Sequence, residues 1–340
     1  MADRKPRLTT QGRVTMQEVA LAAQTSMISV SRTFRGSALV SPALRARIEE
    51  VATQLGFVPD RAASALASAR SMNIAVLIPS LTNMVFVDIL AGIDKVLSEQ
   101  GYQMITATSF YAPSEELRLL RGLLAFRPDG VLLTGIDHLP ETEKLLEQTG
   151  CPNVHMMDLS SAPSCYSVGF SQIEAGAAVA QHFIERGYQH IGFVAAQLDP
   201  RTLARGEGFQ RALLDAGQPP PHKLMVADPS SIELGGLLLD KFLQSHPETD
   251  ALFLCNDDLA LGALFQCQRR GIAVPGQLAL AGFNDLPASA CTFPALTTIS
   301  TPRHQIGQQA ANMMLALIAG EKPETSRLDL GFTLNIRGTS

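Results

Sequence analysis

No window of the sequence approaches the ~18 uninterrupted apolar residues that a membrane-spanning helix requires. The first thirteen residues, MADRKPRLTTQGR, are polar and basic with no apolar h-region. No secretory signal is therefore expected, and a cytoplasmic location is. The five cysteines (Cys151, Cys165, Cys255, Cys267 and Cys291) are odd in number, scattered and without a CxxC pair, which excludes a disulfide framework or zinc ribbon. The seven histidines show no metal-ligand spacing, so neither metal nor cofactor is expected. RGEGFQ at 205–210 lacks the third glycine and the preceding strand end of a dinucleotide fingerprint. The adjacent carboxylates Asp257 and Asp258 sit at a helix start, where such pairs serve as cap and dipole partner. Nothing here assembles a catalytic constellation, and the chain is expected not to be an enzyme.

What is present is a chain of 340 residues, 46% hydrophobic and 17% charged, enough for two or three packed domains and too few charges for a disordered one. The net charge of −5 conceals an asymmetry. Residues 1–70 carry ten basic and five acidic side chains, whereas the rest carries 17 basic and 27 acidic. A basic head on an acidic body suits a small module that meets a polyanion.

The pattern of the head sharpens this. Thr15 followed by Glu18 forms a capping box, and Val19, Ala20 and Ala23 then repeat at helical spacing. After a break at Gln24-Thr25, Ser26 caps a second short helix over 27–34 that carries Val30 inward. Ser41-Pro42 starts a third helix with Leu44, Ile48, Val51, Ala52 and Leu55 on one face, ended by Gly56. Two short helices on a tight turn, braced by a third, make a helix-turn-helix whose second helix presents Met27, Ile28, Ser29 and Arg32. An Ala/Ser-rich helical run, RAASALASAR, comes next at 61–70 as a connector.

The stretches VTMQEVALAAQTSMISVSRTFRG and VSPALRARIEEVATQLGFVPDRAASALAS resemble the head of the lactose-repressor/galactose-repressor (LacI/GalR) family. VSR at 30–32 and the F-x-P-x-x-A-x-x-L pattern at 57–66 are its specific parts. The resemblance implies base reading by Met27, Ile28 and Arg32 and a minor-groove wedge at Leu66, with Arg4, Lys5, Arg35 and Arg61 on phosphates. It departs at Gln24-Thr25, where the family has Gly-Val in the turn.

From Ile74 on, apolar strands (74–79, 103–108, 130–133, 153–157, then 190–196, 223–227, 250–254, 278–282) alternate with amphipathic helices, the mark of parallel α/β sheets. A helix at 303–319 and a terminal strand near 327–335 complete the pattern. NDDLALGAL at 256–264, GIAVPGQLALAGFND at 271–285 and PALTTISTP at 294–302 extend the resemblance through the chain. The expected fold is a small all-α helix-turn-helix head plus an α/β core of two Rossmann-like lobes, like periplasmic binding proteins. The divisions are a basic arm (1–13), a DNA-binding domain (14–58), a hinge (59–71) and an effector-binding and dimerisation core (72–340).

Ligands of wound sheets bind beyond the carboxyl ends of strands, which singles out Ser80, Asn83, Asp158, Asn256, Asp257 and Asn284-Asp285. Phe86 is placed to cover a sugar face. Arg201 and Arg205 lie where the family has ligand-gripping arginines, and a guanidinium fork suits hydroxyls or a carboxylate. Sugar-binding relatives carry aspartate at the position of Asn284, and a neutral amide there removes a charge that would repel an anion. HMMD at 155–158 and SVGFSQIEAG at 167–176 resemble the gluconate-repressor branch. The resemblance implies a repressor that binds double-stranded operator DNA as a homodimer or a higher assembly. Its effector is a small molecule, a sugar acid such as gluconate or 2-ketogluconate, that changes the angle between the lobes. A sugar-binding receptor without DNA function and a repressor with a purine corepressor are the alternatives.

Overall fold

The computed structural model describes residues 14–34, 37–59 and 70–340, and the chain divides into two compact units, Met1–Ser71 and Met72–Ser340. In the first unit, α1 (Met16–Ala22), α2 (Met27–Phe34) and α3 (Pro42–Leu55) enclose Val19, Ala20, Ala23, Val30, Ile48 and Ala52. The capping box forms. The Thr15 backbone N–H donates to Glu18 Oε2 at 2.7 Å, and the Glu18 N–H donates to Thr15 Oγ1 at 3.3 Å. Ser26 and Ser41 cap α2 and α3 by accepting from the Ser29 and Leu44 amides. Gln24, where the family has glycine, adopts a left-handed φ of 49°, which closes the turn between α1 and α2 at a steric cost glycine would not incur. Leu55 does not join the packed face; it is 40% exposed. The left-handed Gly56 turns the chain back, and Phe57 packs on the small core in its place. Arg4, Lys5, Arg35, Arg61 and Leu66, and the run at 60–69, lie outside the described residues.

The second unit holds two six-stranded sheets. Sheet 1 contains β1 (Asn73–Ile78), β2 (Gln103–Thr108), β3 (Gly130–Thr134), β4 (Asn153–Met156) and β5 (Ser167–Gly169), closed by β11 (Arg327–Asp329). Its order is β11-β5-β4-β3-β1-β2, with all pairings parallel. Sheet 2 contains β6 (Ile191–Ala195), β7 (His222–Met225), β8 (Ala251–Leu254), β9 (Ala279–Asn284), β10 (Thr297–Ser300) and β12 (Thr333–Asn335). Its order, β12-β10-β9-β8-β6-β7, repeats the winding of the first, except that β12 runs antiparallel to β10. Side chains alternate across the sheets as strand geometry dictates. In β1, Ile74, Val76 and Ile78 enter one core layer while Ala75 and Leu77 enter the opposite one.

The intervening helices are α4 (Met84–Glu99), α5 (Pro113–Ala125), α6 (Pro140–Thr149), α7 (Gln172–Glu185), α8 (Pro200–Asp215), α9 (Ile232–Ser245), α10 (Asp257–Arg270), α11 (Pro287–Cys291) and α12 (Arg303–Ala319). The chain crosses between the lobes three times, after β5, after β10 and between β11 and β12. The terminal strand expected over 327–335 is thus two strands in different sheets, parted at Leu330–Phe332. β5, β10 and α11, each three to five residues long, fall outside the sequence-based assignment.

Asp257 is a strut rather than a ligand-facing group. It is fully buried. Its Oδ2 accepts from the Leu286 amide and Ser289 Oγ, both at 2.7 Å, and its Oδ1 accepts from Thr298 Oγ1 at 2.6 Å. These bonds tie the start of α10 to α11 and β10. Asp257→Ala leaves three buried donors unpaired and is expected to destabilise the second unit by about 3 kcal/mol or more, measured by urea denaturation. Asp258→Ala, one residue along and partly exposed, is expected to leave the midpoint close to wild type.

Candidate functional site

A cavity of about 360 Å³ lies between the lobes, at the carboxyl ends of the strands, the position expected of a wound α/β fold and within the range of small-molecule sites. Of the residues singled out in the sequence, Ser80, Asn83, Phe86, Arg201, Arg205, Asn256 and Asn284 line it. Asp158 and Asp257 do not. Asp158 accepts from the Leu159 amide at 3.1 Å, and burial pushes its carboxyl above the ordinary range against the pull of Arg201. Its neighbour Met157 lines the cavity in its stead. Asp285, beside Asn284, is engaged by Arg337 and by Asn335 Nδ2, each at 2.7 Å.

The lobe-1 wall is built by helix capping. Asn83 caps α4 by accepting from the Val85 amide at 3.0 Å, and its Nδ2 donates to Tyr111 Oη at 3.3 Å. Ser80 Oγ accepts from the Thr82 and Asn83 amides. Phe86, buried in the third position of α4, meets the Tyr111 ring edge-on at 6.5 Å.

The lobe-2 wall begins at Asp199-Pro200, a cap and first-turn proline that start α8 earlier than the apolar periodicity indicates. Arg201 and Arg205 are consequently four residues apart on one helical face rather than in a loop. Arg205 is buried. Its Nε donates to Gln172 Oε1 and its Nη1 to the Cys255 carbonyl, both at 2.8 Å, and its Cζ lies 3.9 Å above the centre of the Phe283 ring. Among the described residues no carboxylate lies within ion-pairing distance of it, and burial pulls its pKa below the ordinary arginine value. Two reciprocal glycines seat it: a Cβ on Gly176 would stand 2.0 Å from the Arg205 carbonyl oxygen, and one on Gly208 would stand 2.0 Å from that of Ile173. Helices α7 and α8 therefore touch backbone to backbone.

Asn256 caps α10 by accepting from the Leu259 amide and donates from Nδ2 to Ser230 Oγ at 2.8 Å. Asn284 differs from these capping residues. Arg303 binds its backbone carbonyl, while its side-chain Oδ1 is buried without a hydrogen-bond partner. Such a group is costly unless something donates to it.

Sequence reasoning missed Phe110, Tyr111, Gln197, Thr202 and Asp258, all of which line the cavity. Burial raises the Asp258 carboxyl above its ordinary pKa. Phe110 and Tyr111 come directly after β2, so the strand-end rule applied there points to them. Among the described residues, five of the nine non-glycine residues with positive φ (Phe110, Tyr111, Met157, Gln197 and Asn284) border this cavity, which concentrates backbone strain at one place.

In the head, α2 leaves Met27 51% and Ile28 63% exposed, an apolar outer face unlike that of a solvated helix, with Ser29 and Arg32 beside it. Arg45, by contrast, donates to the Thr33 and Ser37 carbonyls at 2.9 and 2.7 Å and braces the end of α2. His222, His246 and Glu248 bring ligand-type atoms within 4.8 Å of one another on the surface. Their imidazoles, however, are stacked at 3.9 Å and 18°, so their lone pairs run side by side rather than converging on one ion.

Residues 15–60 match the bacterial regulatory proteins of the lacI family, and residues 71–334 match the periplasmic binding proteins and sugar binding domain of the LacI family. The chain is 47% identical over 329 residues to the HTH-type transcriptional regulator GntR of Pseudomonas aeruginosa, covering 96% of each. It is 39% identical over 327 residues to the regulator of the same name from Escherichia coli, covering 96% of this chain and 98% of that one. The crystal structure of transcription regulator GntR from Chromobacterium violaceum superposes with a TM-score of 0.77 at 48% identity, over 79% of this chain and 99% of that one. A LacI-family regulator from Silicibacter pomeroyi superposes with a TM-score of 0.89 at 34% identity, over 96% and 99%. With both family matches and near full-length relatives, the chain belongs to the LacI family of bacterial regulatory proteins.

Proposed function

We propose that this protein is a ligand-responsive transcriptional repressor, cytoplasmic and without enzymatic activity, that binds palindromic operator DNA as a homodimer and releases or tightens it when a sugar acid enters the cavity. The regions of the proposal are a basic arm at 1–13, a DNA-binding domain at 14–58, a hinge at 59–71 and an effector core at 72–340. Met27, Ile28, Ser29 and Arg32 on α2 read bases in the major groove. Two-fold pairing doubles the interface and sets the half-site spacing.

One observation carries the choice of effector: Arg205 brings a buried positive charge to the cavity wall, and among the described residues its hydrogen bonds go only to neutral acceptors. A guanidinium has five N–H donors, and the two bonds from Nε and Nη1 leave others for a carboxylate. Asn284 Oδ1, buried and unpartnered, accepts from a ligand hydroxyl. The relatives named GntR support the same reading. Ligand binding then shifts the angle between lobes joined by three crossings, and with it the spacing of the two heads in a dimer.

Footprinting on random-sequence DNA, together with thermal shift against gluconate, 2-ketogluconate, glucose and a purine, tests both halves. A preference for glucose or a purine removes the sugar acid and leaves the repressor, whereas absence of a footprint removes the repressor. Arg32→Ala is expected to cost about 1–3 kcal/mol of operator binding if it pairs with a guanine, with calorimetric affinity for the effector unchanged. Arg205→Met is expected to weaken gluconate at least tenfold through loss of charge-assisted bonds. Asn284→Asp places a second negative charge near the ligand. At ~4 Å and an effective dielectric of about 20, that repulsion is about 4 kcal/mol before screening. Titration calorimetry should show gluconate weakened at least tenfold and glucose unaffected.

A further inference from the structure

On the far side of the Arg201 side chain lies a second cavity of about 470 Å³, comparable in size with the first. Pro79, Tyr111, Gln197, Asp199 and Arg201 line both, so these residues form a wall between two chambers rather than the outer limit of one. We propose that Arg201 is the partition that restricts the ligand to a single sugar-length unit, and that the chamber behind it is a latent subsite for a second, uncharged sugar unit. The proposal takes its choice of ligands from the sugar-acid reading.

Arg201 starts in the first turn of α8 in lobe 2 and reaches lobe 1, where its guanidinium lies beside Gly135 and Asp137. Gly135 makes the room. Its φ is +86°, and a Cβ there would stand 2.5 Å from Arg201 Nη1. The side chain is buried, yet its contacts are long: 3.6 Å from Nη1 to Asp137 Oδ1 and 3.4 Å from Nε to Asp199 Oδ1. Charge-assisted bonds of full strength are ~2.7–2.9 Å, so two carboxylates hold Arg201 across the gap without locking it. Arg205, four residues on, has tight 2.8 Å bonds and, among the described residues, no carboxylate within ion-pairing distance. One arginine therefore holds a ligand's charge and the other fills space.

The chemistry of the second chamber indicates what it admits. His138 Nδ1 and Glu116 Oε1 are paired at 2.7 Å, and His138 Nε2 lies 3.0 Å from His155 Nδ1. The carboxylates of Glu116, Asp137 and Asp199 also line the chamber and disfavour a second anion there. Ser109 and Thr134 supply hydroxyls along the same wall. That lining suits a neutral polyhydroxyl extension.

The test uses the full chain and titration calorimetry with gluconate and lactobionate, in which a galactosyl unit extends gluconate. Wild type is expected to favour gluconate at least 100-fold. Arg201→Ala, which opens the wall, is expected to narrow that ratio at least tenfold. Arg201→Ser serves as a second opening substitution, with folding verified by circular dichroism. Arg201→Met keeps the bulk without the charge and is expected to retain the wild-type ratio. Wild-type affinities within tenfold of each other overturn the partition, as does an opened, folded variant that still excludes the longer acid. If wild type takes glucose instead of gluconate, the sugar-acid reading fails by itself. The same ratios with glucose and maltose then decide the partition, and a wild type that discriminates within neither pair overturns it.

Discussion

A guanidinium removed from water with no carboxylate beside it costs several kcal/mol, and lobe 2 is organised around one. Gln172 from α7, the Cys255 carbonyl at the end of β8 and the Phe283 ring in β9 converge on Arg205. Neutral acceptors take its two hydrogen bonds, and Asp199 acts on its charge only from beyond ion-pairing distance. The arrangement requires α7 and α8 to meet at backbone distance, which is the contribution of Gly176 and Gly208. Side chains at either position would separate the helices and withdraw Gln172 from the guanidinium.

The charge is also a mechanical neighbour of the connections between lobes. The Phe283 ring beneath Arg205 lies 6.2 Å from Phe170, which sits in the first crossing. Phe170 in turn lies 6.4 Å from Phe332, in the third. Aromatic packing of this kind has discrete arrangements rather than continuous ones. Arg303 adds a link at the second crossing. It binds the Asn284 carbonyl and reaches Asp88 on α4 of lobe 1 at 2.8 Å. Arg205 and Asn284 thus adjoin residues that contact all three crossings.

Much of this is legible in the sequence because wound α/β proteins signal their strands by apolar runs and their sites by the residues just past those runs. That rule alone finds Ser80, Asn83, Asn256 and Asn284. It confuses Asp257 with Asp258, because adjacent helical residues point about 100° apart and only the packing of β9, β10 and α11 decides which of them turns inward. Phe110 and Tyr111 lie just past β2, within reach of the same rule, but their left-handed backbone is not announced by aromatic side chains. Arg201 reads as a loop residue because the apolar periodicity starts later than the Asp199-Pro200 cap. The strands β5 and β10 are too short to alternate visibly, and their pairing comes from neighbours distant in sequence.

The three crossings also set a timetable. Lobe 1 opens the core in sequence with β1, yet its sheet is closed by β11 and one of its faces is covered by α12, which come after the whole of lobe 2 apart from β12. A chain emerging N-terminus first completes nearly all of its second lobe while the edge of β5 and the α4 surface that α12 covers remain open. The lobe begun first thus waits for residues 303–329, and until they arrive its unpaired edge is open to pairing with other nascent chains.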